Sequence, residues 1–212
     1  SENEGEFVIT GNTGVFSDLE LGYYLVDSTV GALCGLTTTN PDASVNAKNG
    51  TPTVDKQVKE DSTEQWGGSS TADIGQTVEY RVTINVHAGA ENYIFHDKMS
   101  AGLTYDDVDS IVHMDTSAGT TTDVPASYYT LKESGCADGC TFEIVFEDLK
   151  STAAVAGSVI DVRYQSVLNE NAIVGNKGNV NKVYGEFSNN PNNEDRGTTT
   201  EDAVIIFTYT VE

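Results

Sequence analysis

The heptapeptide Pro52-Thr-Val-Asp-Lys56-Gln-Val58 sets a lysine among valines. Side chains of an extended strand alternate between faces, so Lys56 shares one with Val54 and Val58, toward a core. The same alternation in Tyr93-Ile-Phe-His-Asp97 sends Asp97 inward with Tyr93 and Phe95. In Asn181-Lys-Val-Tyr-Gly-Glu-Phe-Ser-Asn189, the residues Val183, Gly185 and Phe187 share a face with Asn189 and with Asn181. An amine, a carboxylic acid and a carboxamide are thus expected inside one core, on three separate strands.

Further runs rich in β-branched and aromatic residues recur along the chain: Glu6–Thr10, Gly22–Val26, Thr77–Val86, Ser110–Met114, Thr141–Phe146, Ser158–Leu168, Val180–Phe187 and Ala203–Val211. Clusters of Gly, Asn, Asp, Ser and Thr separate them, as between strands. Leu149–Val155 is the one helical candidate. Strands at this spacing, without helical crossovers, predict an all-β chain built as an antiparallel β-sandwich of immunoglobulin type. A boundary is expected near Asn49-Gly50-Thr51-Pro52. Residues 1–49 are too few for a sandwich of their own and read as the tail of a preceding β domain plus linker. Residues 50–212 read as one complete sandwich.

The 212 residues carry a formal charge of −22, with only three arginines and eight lysines. Phosphate binding needs clustered basic groups, so nucleic acid is excluded as a partner. No apolar run reaches transmembrane length, which argues against direct membrane insertion. No signal peptide or anchor is visible, so an exported protein would carry this chain as a piece of a longer precursor. Cys136 and Cys140 flank a short Gly-containing loop ahead of Phe142-Glu-Ile-Val-Phe146. A zinc site would need two more ligands, and His87, His96 and His113 lack the spacing. A local disulfide clamping a hairpin is the favoured reading over free thiols, and it implies an oxidising compartment. Cys34 reads as a buried apolar residue. No metal and no cofactor is expected: Asp106-Asp-Val-Asp109 and Asn192-Asn-Glu-Asp195 lack the spacing and glycine of a calcium loop.

Each inward polar residue has an ordinary reading. A lysine on an apolar strand can snorkel from an edge, Asp97 can cap a turn, and Asn189 can open the Asn-Asn-Pro turn. Their joint placement allows a specific chemistry. Burial lowers a lysine pKa and raises that of an aspartic acid, which favours a neutral amine and a neutral acid. The amine can then attack the carboxamide while Asp97 polarises the carbonyl and moves protons as ammonia leaves. Orientation by the core supplies the effective concentration for this slow amide exchange.

The words around these residues resemble a family. Pro52-Thr-Val-Asp-Lys56, Ala72-Asp-Ile-Gly-Gln-Thr-Val-Glu-Tyr-Arg-Val82 and Phe95-His-Asp97-Lys-Met-Ser-Ala-Gly-Leu-Thr-Tyr105 are similar to the second domain of major shaft pilins. So are Gly178-Asn-Val-Asn181, Phe187-Ser-Asn189-Asn-Pro191 and Val204-Ile-Ile-Phe-Thr-Tyr209. These are the sortase-assembled pilins of Gram-positive bacteria. The resemblance implies a CnaA-like sandwich with an internal Lys–Asn isopeptide bond. Lys56 matches the family's lysine, Asp97 its catalytic acid and Asn189 its asparagine, with Asn181 as fallback and Lys59 as a rival lysine on the opposite face. Gly22-Tyr-Tyr-Leu-Val26 is similar to a late segment of the first pilin domain. Val45-Asn-Ala-Lys48-Asn49 sits where the family carries a Tyr-Pro-Lys-Asn-like motif, which makes Lys48 the candidate sortase acceptor. The partners so implied are other pilin subunits, joined by sortase, and the location is the extracellular, cell-wall-attached pilus.

Two functions compete. In the first, the chain is a structural segment of a pilus or adhesin stalk, with its sandwich tied by one covalent bond. In the second, it is a binding module whose Trp66, Tyr105, Tyr128 and Tyr129 form a platform for a host surface glycan or matrix protein, with Trp66 in a surface loop. No paired catalytic carboxylates or nucleophile motif point to a turnover enzyme.

Overall fold

The computed structural model describes residues 6–10, 13–26, 32–37, 42–43, 51–87, 91–147, 158–188 and 196–209. The chain divides into two compact units, Ser1–Asn49 and Gly50–Glu212. In the first, β1 (Glu6–Thr10) pairs antiparallel with β2 (Thr13–Ser17), and β3 (Gly22–Val26) with β4 (Ala32–Leu36).

The second unit is a sandwich of two sheets. One has six strands: β5 (Thr53–Glu60), β6 (Gln65–Gly67), β8 (Thr77–Asn85), β10 (Leu103–Asp115), β11 (Thr120–Asp123) and β14 (Val159–Leu168), in the order β11-β10-β14-β8-β5-β6. The other has seven: β7 (Ser69–Thr71), β9 (Glu91–Met99), β12 (Tyr129–Lys132), β13 (Phe142–Phe146), β15 (Asn179–Ser188), β16 (Gly197–Thr198) and β17 (Asp202–Phe207). Its main path runs β12-β13-β9-β15-β17-β7, with β16 also on β15. Every pairing in the sandwich is antiparallel except β7 with β17, which is parallel. The sole helical element among the described residues is a 3-10 turn at Ala126–Tyr128. The helical candidate Leu149–Val155 lies outside them.

Period-two patterning builds this core. Along β8, Val78, Tyr80, Val82 and Ile84 are buried while their neighbours are not. In β14 the inward residues are Ile160, Val162, Tyr164, Ser166 and Leu168. Each fully buried aliphatic or aromatic side chain contributes roughly 1.5–3 kcal/mol relative to exposure. Asp161 is also buried, on the outer face of β14, where the guanidiniums of Arg81 and Arg163 cover it from two strands. Trp66 is half-buried within strand β6, opposite Lys59, and not in a loop as the sequence suggested. The Gln65-Trp-Gly segment reads as a loop because of its glycines, yet backbone pairing with β5 extends it.

The turn into β15 depends on Gly178, whose φ is +62°. A Cβ there would also lie 2.4 Å from Cγ2 of Ile205. Cys136 and Cys140 form a disulfide, with Cα atoms 5.5 Å apart, in the connection from β12 to β13.

Two outcomes follow for stability. Gly178→Ala combines left-handed backbone with overlap in the core, so denaturant unfolding should show a loss of about 2–4 kcal/mol. Opening the disulfide releases a very short loop, so the same assay under reducing conditions should show a loss of about 2 kcal/mol or less, with the sandwich retained.

Candidate functional site

β5 and β14 belong to one sheet, β9 and β15 to the other, and their inward residues meet between the layers. Lys56 comes from β5, Tyr164 from β14, Asp97 from β9 and Asn181 from β15. Lys56 is 3 % exposed, while Asp97, Tyr164 and Asn181 are fully buried. Nζ of Lys56 lies 2.5 Å from Oδ2 of Asp97. The Tyr164 hydroxyl contacts both, donating to Asp97 Oδ2 and accepting from Lys56 Nζ. Nδ2 of Asn181 donates to the same hydroxyl at 3.3 Å, and its carboxamide also interacts with the Asp97 carboxyl.

Aromatic rings wall this cluster. Lys56 Nζ lies 5.1 Å from the ring centroid of Tyr164 and 5.3 Å from that of Tyr80. The two rings stack at 5.1 Å, and Phe95 and Phe142 meet Tyr164 edge-on. The Tyr80 hydroxyl is held by Ser166 Oγ at 2.9 Å, which keeps that ring in place. β17 steadies the lysine from its backbone side, since Asp202 Oδ2 accepts the Lys56 N–H at 2.7 Å.

Burial governs the protonation of this pair. It drives the Lys56 amine below the usual lysine range, against the opposing pull of Asp97. It drives the Asp97 carboxyl above the usual carboxylate range, against the opposing pull of Lys56. Burial, and then the charge of Asp97, holds the Tyr164 phenol well above its ordinary value. An ion pair moved into such a place loses several kcal/mol of hydration per ion, so the neutral amine and neutral acid are favoured. Two oxygens have no hydrogen-bond partner: Oδ1 of Asp97 and Oδ1 of Asn181. A proton on the Asp97 carboxyl is the donor such a site lacks.

The structure therefore brings Lys56, Asp97 and Asn181 to one point. Asn189 and Lys48 lie outside the described residues. The register of β15 against β9 shifts between Glu186 and Ser188, and Phe187 and Ser188 are both buried. That bulge interrupts the strict alternation used to place Asn189 on the inner face. Lys59 faces the other way, paired with Glu64 at 2.5 Å and Glu79 at 3.4 Å. Tyr164 and Tyr80 were not singled out from the sequence. Their signal was a phenol at an inward position of an apolar strand, where a hydroxyl needs a polar partner.

The family described as Gram-positive pilin backbone subunit 2, Cna-B-like domain, matches residues 74–191, more than half of the chain. The family is Cna-B-like, where the resemblance of the sequence implied a CnaA-like sandwich. No curated protein matches by sequence. Among solved structures, the chain is similar to the C-terminal fragment of the major pilin GBS80 of Streptococcus agalactiae, at 18 % identity and TM-score 0.60, over 76 % of this chain and 57 % of that one. It is also similar to the T6 backbone pilin of serotype M6 Streptococcus pyogenes, at 19 % identity and TM-score 0.56, over 92 % and 45 % of the two chains. BcpA, the major pilin subunit of Bacillus cereus, aligns at 13 % identity and TM-score 0.57, over 92 % and 54 %. The chain spans about half the length of these structures. One family model thus covers more than half of this all-β chain: the chain belongs to the Gram-positive pilin backbone subunit 2 family, as a Cna-B-like domain.

Proposed function

We propose that this chain is a tension-bearing segment of a cell-wall-attached pilus shaft, and that its sandwich is closed by an amide between Lys56 Nζ and Asn181 Cγ. The observation that carries this reading is the pair of orphaned oxygens, Asp97 Oδ1 and Asn181 Oδ1, beside a buried lysine. Protonated Asp97 donates to the Asn181 carbonyl and makes its carbon electrophilic. The neutral Lys56 amine attacks, the N–C bond forms, and a proton passes from the amine through Asp97 to the departing Asn181 nitrogen. The carboxamide C–N bond then breaks and ammonia leaves. The reaction runs once, and the aromatic walls keep competing water out. Tyr164 positions both reacting partners through its hydroxyl.

Assembly belongs to the same proposal. Sortase joins subunits end to end, and Lys48 in Val45-Asn-Ala-Lys48-Asn49 is the acceptor. The competing platform gains no support from geometry. Trp66 is half-buried on β6 of one sheet, while Tyr128 and Tyr129 are half-buried against the core next to β13 of the other, and Tyr105 packs on Phe142 at 4.5 Å.

Intact mass under reducing, denaturing conditions tests the bond. The unaltered protein should be lighter than its sequence by one ammonia, and Lys56→Ala, Asp97→Ala and Asn181→Ala should each have full mass. Asn189→Ala should keep the loss; full mass in that variant and retained loss in Asn181→Ala would move the bond to Asn189. The tie closes a loop of about 125 residues, worth about 5 kcal/mol by analogy with disulfides. Melting temperature should therefore fall by about 10–20 °C in Asn181→Ala.

The pH dependence has a definite sign. A lowered lysine pKa keeps the amine neutral to lower pH than in a free lysine, and a raised aspartate pKa keeps the acid protonated to higher pH. The productive pair holds one proton between two groups. Adding a second makes an ammonium, and removing the first leaves no acid. Refolding unlinked protein at stepped pH, with intact mass followed over time, should give a bell-shaped rate profile for the coupled pair. A rate that climbs steadily with pH would exclude Asp97 as the acid.

A further inference from the structure

His96 and Asp97 are consecutive in β9 and face opposite ways. Asp97 points into the sandwich, so His96 belongs to the outer face, yet it is only 6 % exposed. Residues of the cysteine loop lie against it: Asp138 Oδ1 is 3.8 Å from its Nδ1, and the Cys140 sulfur is close to the ring. Strand pairing sets Glu143 of β13 directly opposite His96 on one side and Tyr184 of β15 on the other. The imidazole lies parallel to the Tyr184 ring, with centroids 4.5 Å apart and planes 1° from each other, so its orientation is fixed. Neither ring nitrogen has a hydrogen-bond partner. An unsatisfied buried polar group is costly, so a site that keeps two needs a reason.

The surrounding donors supply one. Glu143 Oε2 stands 3.7 Å from Nδ1, and Glu186 Oε1 stands 3.5 Å from Nε2. The Nδ1–Glu143 gap is long for a hydrogen bond, but it matches ligand atoms sharing one tetrahedral ion, which sit about 3.3–3.8 Å apart at zinc bond lengths. A ring nitrogen of His96, a carboxylate oxygen of Glu143 and Sγ of Cys140 all lie within 4.8 Å of one another. Cys140 also belongs to an equally tight group with Cys136 and Asp138. The supporting contacts are in place. Lys132 Nζ donates to Glu143 Oε1 at 2.5 Å and the Tyr184 hydroxyl to Asp138 Oδ2 at 2.7 Å, which leaves the other oxygen of each carboxylate toward His96. Glu186 stands at Nε2, and Nδ1 is the nitrogen that faces the cysteine loop.

We propose that the cysteine loop is a redox-gated zinc site. With the disulfide closed, Cys140 offers no thiolate and the site lacks its strongest ligands. A dithiol reductant supplies two electrons and two protons, breaks the S–S bond and becomes a disulfide itself. The freed Cys136 and Cys140 lose their thiol protons to solvent on binding Zn²⁺, and His96 Nδ1 and Glu143 Oε2 complete a four-ligand set. Oxidation to the disulfide, by an acceptor of two electrons, expels the ion. The loop so exchanges one clamp for another over the same strands. This site is independent of the Lys56 cluster, on the far face of the same sheet.

The test uses the whole chain with Cys34→Ser, so that Cys136 and Cys140 are its only thiols. Phosphine-reduced and disulfide-closed protein are titrated with Co²⁺ and followed by visible absorption, then challenged with Zn²⁺. The reduced protein should bind one Co²⁺ with a thiolate charge-transfer band that zinc abolishes, and the closed form should bind at least about 100-fold more weakly. In the reduced form, His96→Ala and the nearly isosteric Glu143→Gln should each weaken binding by about 10–100-fold. The proposal is overturned if reduced protein binds no Co²⁺. It is equally overturned if the closed form, or His96→Ala, binds with undiminished strength.

Discussion

A lysine and an aspartic acid taken out of water together set the terms for everything around them. Neither Lys56 nor Asp97 can be buried charged and alone, because the loss of hydration far exceeds what a hydrocarbon core returns. The sandwich answers by placing them 2.5 Å apart, on facing sheets, with a phenol between. That demand fixes which strands face one another, because β5 and β9 must present these residues at the same depth. It also explains the aromatic wall. Tyr80, Tyr164, Phe95 and Phe142 exclude solvent from the pair while their edges and hydroxyls supply local polarity. A polar cluster of this kind adds less to stability than a hydrophobic one would, and its retention fits a chemical purpose.

Much of this was legible in the sequence because strand periodicity is strict. Val54, Lys56 and Val58 in β5, and Tyr93, Phe95 and Asp97 in β9, follow from alternation alone. The same rule says less where a strand is irregular. The register of β15 against β9 shifts near Ser188, and no residue of Phe187-Ser-Asn189 announces it. Tyr164 escaped notice for another reason: within Val162-Arg-Tyr-Gln-Ser166 it reads as an ordinary core aromatic, and only its neighbour across the sandwich gives the hydroxyl a role. The histidine beneath the cysteine loop was set aside in the sequence because its spacing does not tie it to the cysteines. Its companions come from cross-strand register and from a loop folding over a sheet, and neither leaves a mark in residue spacing.

The two faces of the second sheet thus carry separate chemistries, one sealed and one close to solvent. Facing the core, β9 and β15 hold groups whose protonation is set by burial. Facing outward, the same two strands hold His96, Tyr184 and Glu186, with Asp138 of the cysteine loop against the first two. The strong negative charge of the chain, −22, bears on the outer set more than the inner. An acidic surface raises the local concentration of cations, whereas the core pair is insulated from it.

The backbone of Lys56 is held by Asp202, so strands from the opening and the close of the domain lie side by side. With the proposed amide in place, the chain from β5 to β15 becomes a closed ring, and the stretch from Gln57 to Val180 hangs as a bight off the line of pull. A protease that cuts within that bight would leave the two ends of the domain joined. Loop length between β5 and β15 is then free to vary in evolution without shortening or weakening the fibre, because length along the pull is measured through a side chain and not through the main chain.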